Sequence, residues 1–258
     1  MNLKWLVRNV RSSWSYSDRS IDFLKRLLWA YSHRIPCPKT FEIGFNYPPP
    51  MGRCRLVVRA NDGSDAFVHG EVFEHQYYNL PLSHSPESIL DLGANAGFAS
   101  IYFSRVYPHA AIACVEPIAA NLDILRQNLK LNEISATVFP AAVAASDGFV
   151  QMELHTKDYG HRIVQGTEAS GKKRLEVRAI SVPTVLGKLG WGRIGLLKVD
   201  IEGYEATLFS GACDWLNKVD SMCIECHEGF ADVDLERLAS RYGFSQPQRL
   251  KGTWLLTR

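Results

Sequence analysis

Residues 91–97, with the sequence Asp-Leu-Gly-Ala-Asn-Ala-Gly, have the composition of a ligand-binding turn between a strand and a helix. Gly93 permits a tight turn and a close approach of the backbone to a ligand. Asn95 tolerates a left-handed backbone, and Gly97 would let the start of the helix pack close to the strand. Glu116 follows at the spacing of the carboxylate that binds a ribose diol in nucleoside-binding α/β folds. A plain strand–helix turn would use the same small residues but would not require Glu116.

Asp91 distinguishes between two cofactor classes that share such a loop. It stands ahead of the glycines, where a carboxylate can meet the cationic amino-acid group of S-adenosylmethionine. A pyrophosphate-binding loop has little use for this negative charge, so the sequence favours S-adenosylmethionine over NAD. An NAD-dependent oxidoreductase and a non-catalytic binding module with the same fold remain the alternatives at this point.

A second dense group of charged residues follows a later apolar run, in residues 198–205 (Lys-Val-Asp-Ile-Glu-Gly-Tyr-Glu). Ligands in an open α/β sheet bind beyond the carboxyl ends of the strands, near the point where the strand order reverses. If this run is the strand beside the first one, Asp200 and Glu202 project into that crevice. A helix beginning at Glu202 would place Glu202 and Glu205 on one face, although acidic residues at a helix start also complement its dipole.

His227 is the histidine that the pattern places at the carboxyl end of a strand. Its ordinary pKa lies near the operating pH, so it could act as general base for a hydroxyl nucleophile. We therefore expect a catalytic group of Asp200, Glu202 and His227, with Lys198 orienting the carboxylates. The sequence leaves open which of the three is the base, and nothing in it requires a metal.

The elements that must position these residues alternate between apolar strands and helices. This alternation requires crossover connections, which produce a mostly parallel sheet covered on both faces, so the predicted fold class is α/β, doubly wound. We predict strands at Ser88–Leu92 and at residues 55–59, 110–115, 136–142, 194–200, 222–227, 243–249 and 253–257. Helices are predicted at residues 97–107 and around Leu122, Leu125 and Leu129, with a less regular stretch between residues 148 and 194.

Residues 1–40 differ from the rest of the chain in charge. They hold eight Lys and Arg against two acids, a net +6, whereas the remainder carries −4. Ile21, Leu24 and Leu28 recur at helical spacing, in a segment that also contains Trp5, Trp14 and Trp29. We favour a helical cap whose apolar face packs on the core, with weak peripheral contact to an anionic membrane as the alternative.

The overall composition is that of a soluble globular protein of 258 residues, 46% of them hydrophobic and 22% charged. The longest uncharged stretches, residues 92–104 and 134–146, are too short to span a membrane. A net charge of +2 is too balanced to imply a nucleic-acid partner. Six cysteines without a visible secretion signal indicate buried thiols and a cytoplasmic location.

Cys223, Cys226 and His227 also form the Cys-x-x-Cys-His pattern of covalent haem attachment. We reject this interpretation because the pattern falls on an apolar strand, where the two cysteines would face opposite sides. A zinc site is not predicted either, since no second Cys/His pair stands at ligand spacing.

Taken together, these residues resemble those of the FkbM-type family of S-adenosylmethionine-dependent O-methyltransferases. The resemblance runs from about Leu56 to the C-terminus. The block ending at residues 200–205 (Asp-Ile-Glu-Gly-Tyr-Glu) is specific to this group, whereas the Asp-x-Gly loop is shared by many methyltransferases. Further positions that carry the resemblance are Asp65, Phe73, Tyr77, Pro117, Asn121, Asn128, Asn132, Gly148, Gly211 and Glu225.

The resemblance implies a seven-stranded Rossmann-like sheet whose last strand is antiparallel to the rest. It implies that residues 56–258 form a class I methyltransferase domain, and residues 1–55 a basic helical segment with a proline-rich linker. The implied acceptor is a hydroxyl of a small molecule, sugar or glycolipid, contacted partly by residues 148–194. With the resemblance, the expected cofactor-binding residues are Asp91, Gly93, Asn95, Gly97, Glu116, Pro117, Asn121 and, near the adenine edge, Ala141 and Ala142.

Overall fold

The computed structural model describes residues 14–32, 37–155, 160–164 and 173–258. Its strands are β1 Thr40–Asn46, β2 Arg53–Arg59, β3 Ser88–Leu92, β4 Ala111–Val115, β5 Ala136–Phe139, β6 Ala142–Val143, β7 Gly148–Glu153, β8 Arg162–Val164, β9 Arg174–Ile180, β10 Ile194–Val199, β11 Val219–Ile224, β12 Gln248–Arg249 and β13 Trp254–Thr257. Its helices are α1 Ser20–Ala30, α2 Ser64–His69, α3 Phe98–Val106, α4 Ala119–Leu131, α5 Val182–Leu189, α6 Glu205–Leu208 and α7 Asp232–Tyr242, with a π-helical turn at Gly70–Glu74 and a 3-10 turn at Asp214–Lys218. Within these ranges, no helix has both the length and the apolar character needed to cross a membrane.

The central sheet has seven strands in the order β12-β13-β11-β10-β3-β4-β5. Strands β11, β10, β3, β4 and β5 pair in parallel, and β13 runs antiparallel to β11. The predicted α/β class and the antiparallel last strand are confirmed. The strand order reverses between β3 and β10, so a crevice for a ligand is expected at the carboxyl ends of these two strands.

Apolar side chains bury both faces of this sheet. Ile89 of β3 packs into one apolar cluster and the next residue, Leu90, into the other, because successive residues of a strand point to opposite faces. The same alternation puts Cys223 in the first cluster and Cys226 against the second, as predicted. All six cysteines are free.

A second sheet of four strands, in the order β6-β9-β7-β8, lies in the stretch that was predicted to be less regular. Its longer strands mix exposed polar residues with buried ones, so they lack the continuous apolar run of the central strands. The strand predicted at residues 136–142 is wrong in length. Pro140 has no backbone N–H to donate. Pairing with β4 therefore ends at Phe139, and Ala142 and Val143 pair with β9 instead.

An antiparallel hairpin of β1 and β2 flanks the central fold, and β1 was not predicted. Asn128 of α4 accepts the backbone N–H of Val57 at 2.6 Å and donates to its carbonyl at 3.1 Å. Asn132, one turn later, bonds in the same way to both backbone groups of Arg55. These two side chains form hydrogen bonds to the backbone of β2, as a neighbouring strand would. The domain boundary predicted between residues 55 and 56 falls within this hairpin.

Helix α1 packs on the hairpin with the opposite orientation to the predicted one. Ile21, Leu24 and Leu28 are 51%, 53% and 45% exposed, while Asp22 and Arg26 are buried. The prediction of a cap that packs its apolar face on the core is therefore wrong. Polar contacts far apart in sequence cause this orientation, as described below. Trp5 and the other residues of the basic segment before residue 14 lie outside the described part of the chain.

Candidate active site

A cavity of about 330 Å³ lies at the carboxyl ends of β3, β4 and β10, where the strand order reverses. It brings together most of the residues singled out from the sequence. The predicted site residues that line it are Gly93, Asn95, Glu116, Pro117, Asn121, Ala142, Lys198, Asp200, Glu202 and His227. The predicted site residues outside the lining are Asp91, Gly97 and Ala141.

The glycine loop has the left-handed backbone that its composition predicts, with φ of 79° at Gly93, 48° at Asn95 and 82° at Gly97. A Cβ at Gly93 would lie 1.8 Å from the carbonyl oxygen of Asp200, so this glycine lets the loop approach the end of β10. A Cβ at Gly97 would lie 2.4 Å from Cδ1 of Leu125. Gly97 therefore permits close packing of the loop against α4 rather than against the strand, which corrects the prediction.

Glu116 holds the glycine loop in place as well as lining the cavity. Its carboxylate accepts the backbone N–H groups of Asn95 and Ile118, both at 2.9 Å, and the side-chain amide of Asn121 at 3.1 Å. Burial raises the pKa of Glu116 above its ordinary value, although these hydrogen bonds oppose the shift. Glu116 was predicted as a ribose-binding residue, whereas its contacts to the loop were not predicted.

Arg59 supports the same loop and was not predicted. Its guanidinium forms an ion pair with Asp65 and donates to Asn121 at 2.7 Å and to Asn95 at 3.3 Å. Arg59 thus connects the end of β2 to two residues that line the cavity. The only sequence signal was indirect, because Asp65 is among the positions that carry the family resemblance.

Lys198 is buried behind the glycine loop and pairs with Asp91, its register partner on β3. The Nζ atom lies 3.0 Å from the Asp91 carboxylate and 3.5 Å from that of Asp200, and it donates to the carbonyl of Gly93 at 2.9 Å. Burial alone would lower the pKa of Lys198, but the two carboxylates outweigh it and the net shift is upward. A lysine of the protein thus occupies the position next to Asp91 at which the sequence analysis expected the cationic group of the cofactor.

Several carboxylates surround His227 at the open side of the cavity. Nε2 of His227 lies 3.5 Å from Glu202, 3.9 Å from Asp200 and 4.0 Å from Glu225. On the other side of the ring, Nδ1 lies 2.9 Å from an oxygen of Glu205, which is fully buried. The predicted catalytic group of Asp200, Glu202 and His227 is therefore brought together in space, and its assignment as catalytic stays a prediction.

The helix expected to begin at Glu202 begins instead at Glu205. Glu202 itself has a left-handed backbone, with φ of 56°, and Gly203 follows with φ of 93°. This turn separates the two carboxylates, so that Glu202 faces the cavity and accepts the N–H of Gly160 at 2.9 Å, while Glu205 lies beneath His227. The prediction that Glu202 and Glu205 share a helix face is wrong for this reason.

Burial and the crowding of negative charge shift the pKa values of the acidic residues here upward. Burial, reinforced by the charge of Asp200, raises the pKa of Glu225 to about 8. Burial and nearby carboxylates raise the pKa of Glu71, a cavity residue on the π-helical turn, to about 7. Burial lowers the pKa of His227, but its hydrogen bond to Glu205 and the surrounding charges outweigh burial and bring the pKa to about 9.

Asp200, Glu202 and His227 could also hold a divalent cation. One ligand atom from each residue can be chosen so that all lie within 4.8 Å of one another. The hydrogen bond from Nδ1 to Glu205 would leave Nε2 free to coordinate, as in many histidine metal ligands. The expectation that no metal is needed stays a prediction.

A second cavity adjoins the first across Glu202 and His227, which line both. Its other lining residues are polar or charged except for two glycines, and they are Glu153, His155, Gly160, Arg162, Gly203 and Glu228. The small sheet forms the partition between the two cavities. Met152 and Ile163, paired across β7 and β8, line the first cavity, whereas the adjacent pair of Glu153 and Arg162 lines the second.

We predict that Lys198→Met lowers the free energy of unfolding by about 3–5 kcal/mol, because it leaves Asp91 buried without its partner. The double variant Lys198→Met with Asp91→Asn removes both charges and should recover much of this loss. Chemical denaturation of the wild type, the two single variants and the double variant measures the coupling. Additive losses in the double variant would show that the two residues do not depend on each other.

We also predict that the melting temperature falls as the pH rises from about 5 to 9. Folded Glu225 keeps its proton up to about pH 8 against an ordinary pKa of 4.5, and the stability contributed by protonated His227 is lost as the pH passes about 9. Glu225→Gln should flatten this dependence and raise the melting temperature at pH 8 by about 2–4 °C. The matched control is Glu236→Gln on the exposed side of α7, which should keep the wild-type slope; an unchanged slope in Glu225→Gln would refute the assignment.

Comparison with known proteins places these features in a family. A family model described as the methyltransferase FkbM domain matches residues 91–245. The chain is similar to Methyltransferase 1 of Beauveria bassiana (strain ARSEF 2860), with 26% identity over 189 residues that cover 64% of this chain and 75% of that protein. It is also similar to the 31-O-demethyl-FK506 methyltransferase FkbM of Streptomyces tacrolimicus, with 21% identity over 209 residues that cover 67% and 78% of the two chains.

The fold is also found in a solved structure. The methyltransferase FkbM of Methylobacillus flagellatus KT superimposes with a TM-score of 0.51 at 13% sequence identity, covering 98% of this chain and 58% of that one. The family match takes in more than half of the sequence, from the glycine loop to the strands that carry the carboxylates and His227. The chain belongs to the FkbM methyltransferase family.

Proposed function

We propose that this chain, an S-adenosylmethionine-dependent methyltransferase of the FkbM family, transfers the methyl group to a hydroxyl oxygen of a small-molecule, sugar or glycolipid acceptor. The observation that carries the proposal is the position of His227. Its Nδ1 is hydrogen-bonded to the buried Glu205, and its Nε2 faces the junction of the two cavities. This is the arrangement of a general base that is held in orientation by a carboxylate.

The first cavity suits S-adenosylmethionine better than a dinucleotide. Its volume of about 330 Å³ is within the range of small-molecule sites, and Glu116 at the end of β4 is placed to receive a ribose diol. The acidic residues in its described lining are Glu71, Glu116, Asp200, Glu202 and Glu225, against the single lysine Lys198. Even with Glu225 protonated up to about pH 8, this wall offers acidic side chains to the cationic sulfonium and amino groups of S-adenosylmethionine, and its described lining offers no arginine to the pyrophosphate of NAD.

In the proposed reaction, S-adenosylmethionine supplies the methyl group as an electrophilic carbon on a sulfonium. The acceptor hydroxyl oxygen forms a bond to this carbon as the carbon–sulfur bond breaks, and the hydroxyl proton passes to Nε2 of His227. Glu205 stabilises the imidazolium ion that results, through the hydrogen bond from Nδ1. Glu202 and Asp200 orient the hydroxyl, and positioning of the oxygen in line with the carbon–sulfur bond provides most of the acceleration.

The second cavity is the proposed acceptor site. Its charged and polar lining, including Glu153, Arg162 and Glu228, offers donors and acceptors for an acceptor rich in hydroxyl groups. An acceptor bound there reaches the first cavity between Glu202 and His227, which line both. A sugar or another polyhydroxy compound therefore suits this site better than a flat apolar substrate does.

Incubation of the protein with methyl-labelled S-adenosylmethionine and a cell extract tests the proposal. We expect a labelled small molecule whose methyl resonance and mass fragmentation are those of a methyl ether. A label on nitrogen or carbon would overturn O-methylation while leaving the family assignment intact. The absence of any labelled product, together with NAD-dependent turnover, would support an oxidoreductase instead.

We predict a specific pH dependence for the role of His227. The ratio kcat/KM of the wild type should rise with pH to a plateau above about 9, since the imidazole must be neutral to accept a proton. Glu205→Gln removes the charge that raises this pKa, so the rising limb should move to lower pH. His227→Ala should lose about 10²–10⁴-fold in kcat. Glu236→Gln is the control for both variants. If the rising limb of kcat/KM against pH does not move in Glu205→Gln, His227 is excluded as the base.

A further inference from the structure

Helix α1 presents an apolar stripe to solvent, formed by Ile21, Leu24 and Leu28. Trp14, which is 70% exposed, packs edge-on against Phe23 of the same helix at 5.4 Å between ring centres and adds a further exposed apolar side chain to this part of the molecule. Of the eight large apolar side chains that are most exposed in the described residues, these three and Trp14 make up half. Such a concentration of apolar surface marks an interaction site rather than scattered surface residues.

The orientation of α1 is fixed by contacts on its polar side. Asp22 accepts the N–H of Gly44 at 3.0 Å in a buried hydrogen bond. Arg26 pairs with Glu74 at 3.0 Å and lies over the ring of Phe45, and the indole of Trp29 donates to the carbonyl of Arg59 at 2.8 Å. Because buried charges are costly unless they are paired, the helix cannot rotate its apolar stripe inward without breaking these contacts.

The charge near this surface is positive. Arg19, next to Ile21, is 58% exposed and pairs with Asp22, and the thirteen residues before Trp14 contain Lys4, Arg8 and Arg11 but no acidic residue. The net charge of residues 1–40 is +6, against −4 for the rest of the chain. Basic charge next to an apolar helix face is the combination that anionic lipid surfaces bind.

We propose that the α1 stripe docks on an anionic membrane surface, with the basic N-terminal residues attracted by the lipid headgroups. A second copy of the chain is a poorer occupant, because pairing through this face would bring two strongly positive segments together. The stripe is too short and too flanked by charge to enter the bilayer core, so the contact is peripheral and reversible. This inference does not depend on the identity of the methyl acceptor.

Flotation of the full-length protein with phosphatidylcholine vesicles, with and without phosphatidylserine, tests this proposal. We expect the protein to float with the anionic vesicles at low salt, and to float about tenfold less at high salt or with neutral vesicles. The triple variant Ile21→Ser, Leu24→Ser and Leu28→Ser should lower binding to anionic vesicles by about tenfold while keeping its melting temperature. Phe149→Ser with Leu175→Ser, which removes exposed apolar side chains of the small sheet, should bind like the wild type.

Three outcomes would overturn the proposal. The first is a wild type that does not float with anionic vesicles at low salt. The second is a wild-type dimer in sedimentation that the triple variant converts to a monomer, which would assign the stripe to a second copy. The third is a triple variant with a lowered melting temperature and unchanged vesicle binding, which would make the stripe a surface that packs within the chain.

Discussion

The ion pair between Lys198 and Asp91 joins the two central strands at the point where the strand order reverses, and the site is built around it. Lys198 also binds the carbonyl of Gly93 and approaches Asp200, so one buried ammonium fixes the glycine loop and the Asp200 carboxylate relative to each other. A lone buried charge at this place would be strongly destabilising. The neighbouring negative charges make it tolerable, and they also supply the electrostatic character of the cavity.

Positive side chains balance the negative charge of the cavity only in part. Lys198 neutralises the inner carboxylates, but Glu71, Glu202 and Glu225 line the same cavity without a second lysine or arginine in its described lining. Burial, reinforced by this crowding, raises the pKa values of the three glutamates, while the hydrogen bond to Glu205 and the nearby carboxylates outweigh burial and raise the pKa of His227. A cation bound among these carboxylates would relieve this repulsion, so the cavity suits a positively charged cofactor.

The sequence could predict those parts of the site that are formed by residues consecutive in the chain. β3 and β10 are short, mostly apolar runs that each contain one charged residue, Asp91 and Lys198, and Asp200 follows the end of β10, so both their structure and their place at the crevice could be inferred. Arg59 and Glu71 could not, because they reach the site from a hairpin and a π-helical turn distant in sequence. The orientation of α1 was mispredicted for a related reason: apolar spacing alone gives no information about partners such as Gly44 and Glu74.

In the small sheet between the two cavities, successive residues of a strand can face different cavities. At Met152 and Glu153 of β7, and at Arg162 and Ile163 of β8, one residue lines the first cavity and its neighbour lines the second, because a strand has a period of two. Substitutions at Glu153 and Arg162 can therefore accumulate without altering the wall formed by Met152 and Ile163. Point substitutions in the second cavity can thus leave the first cavity unchanged, whereas a one-residue insertion in either strand would exchange the two linings and destroy both.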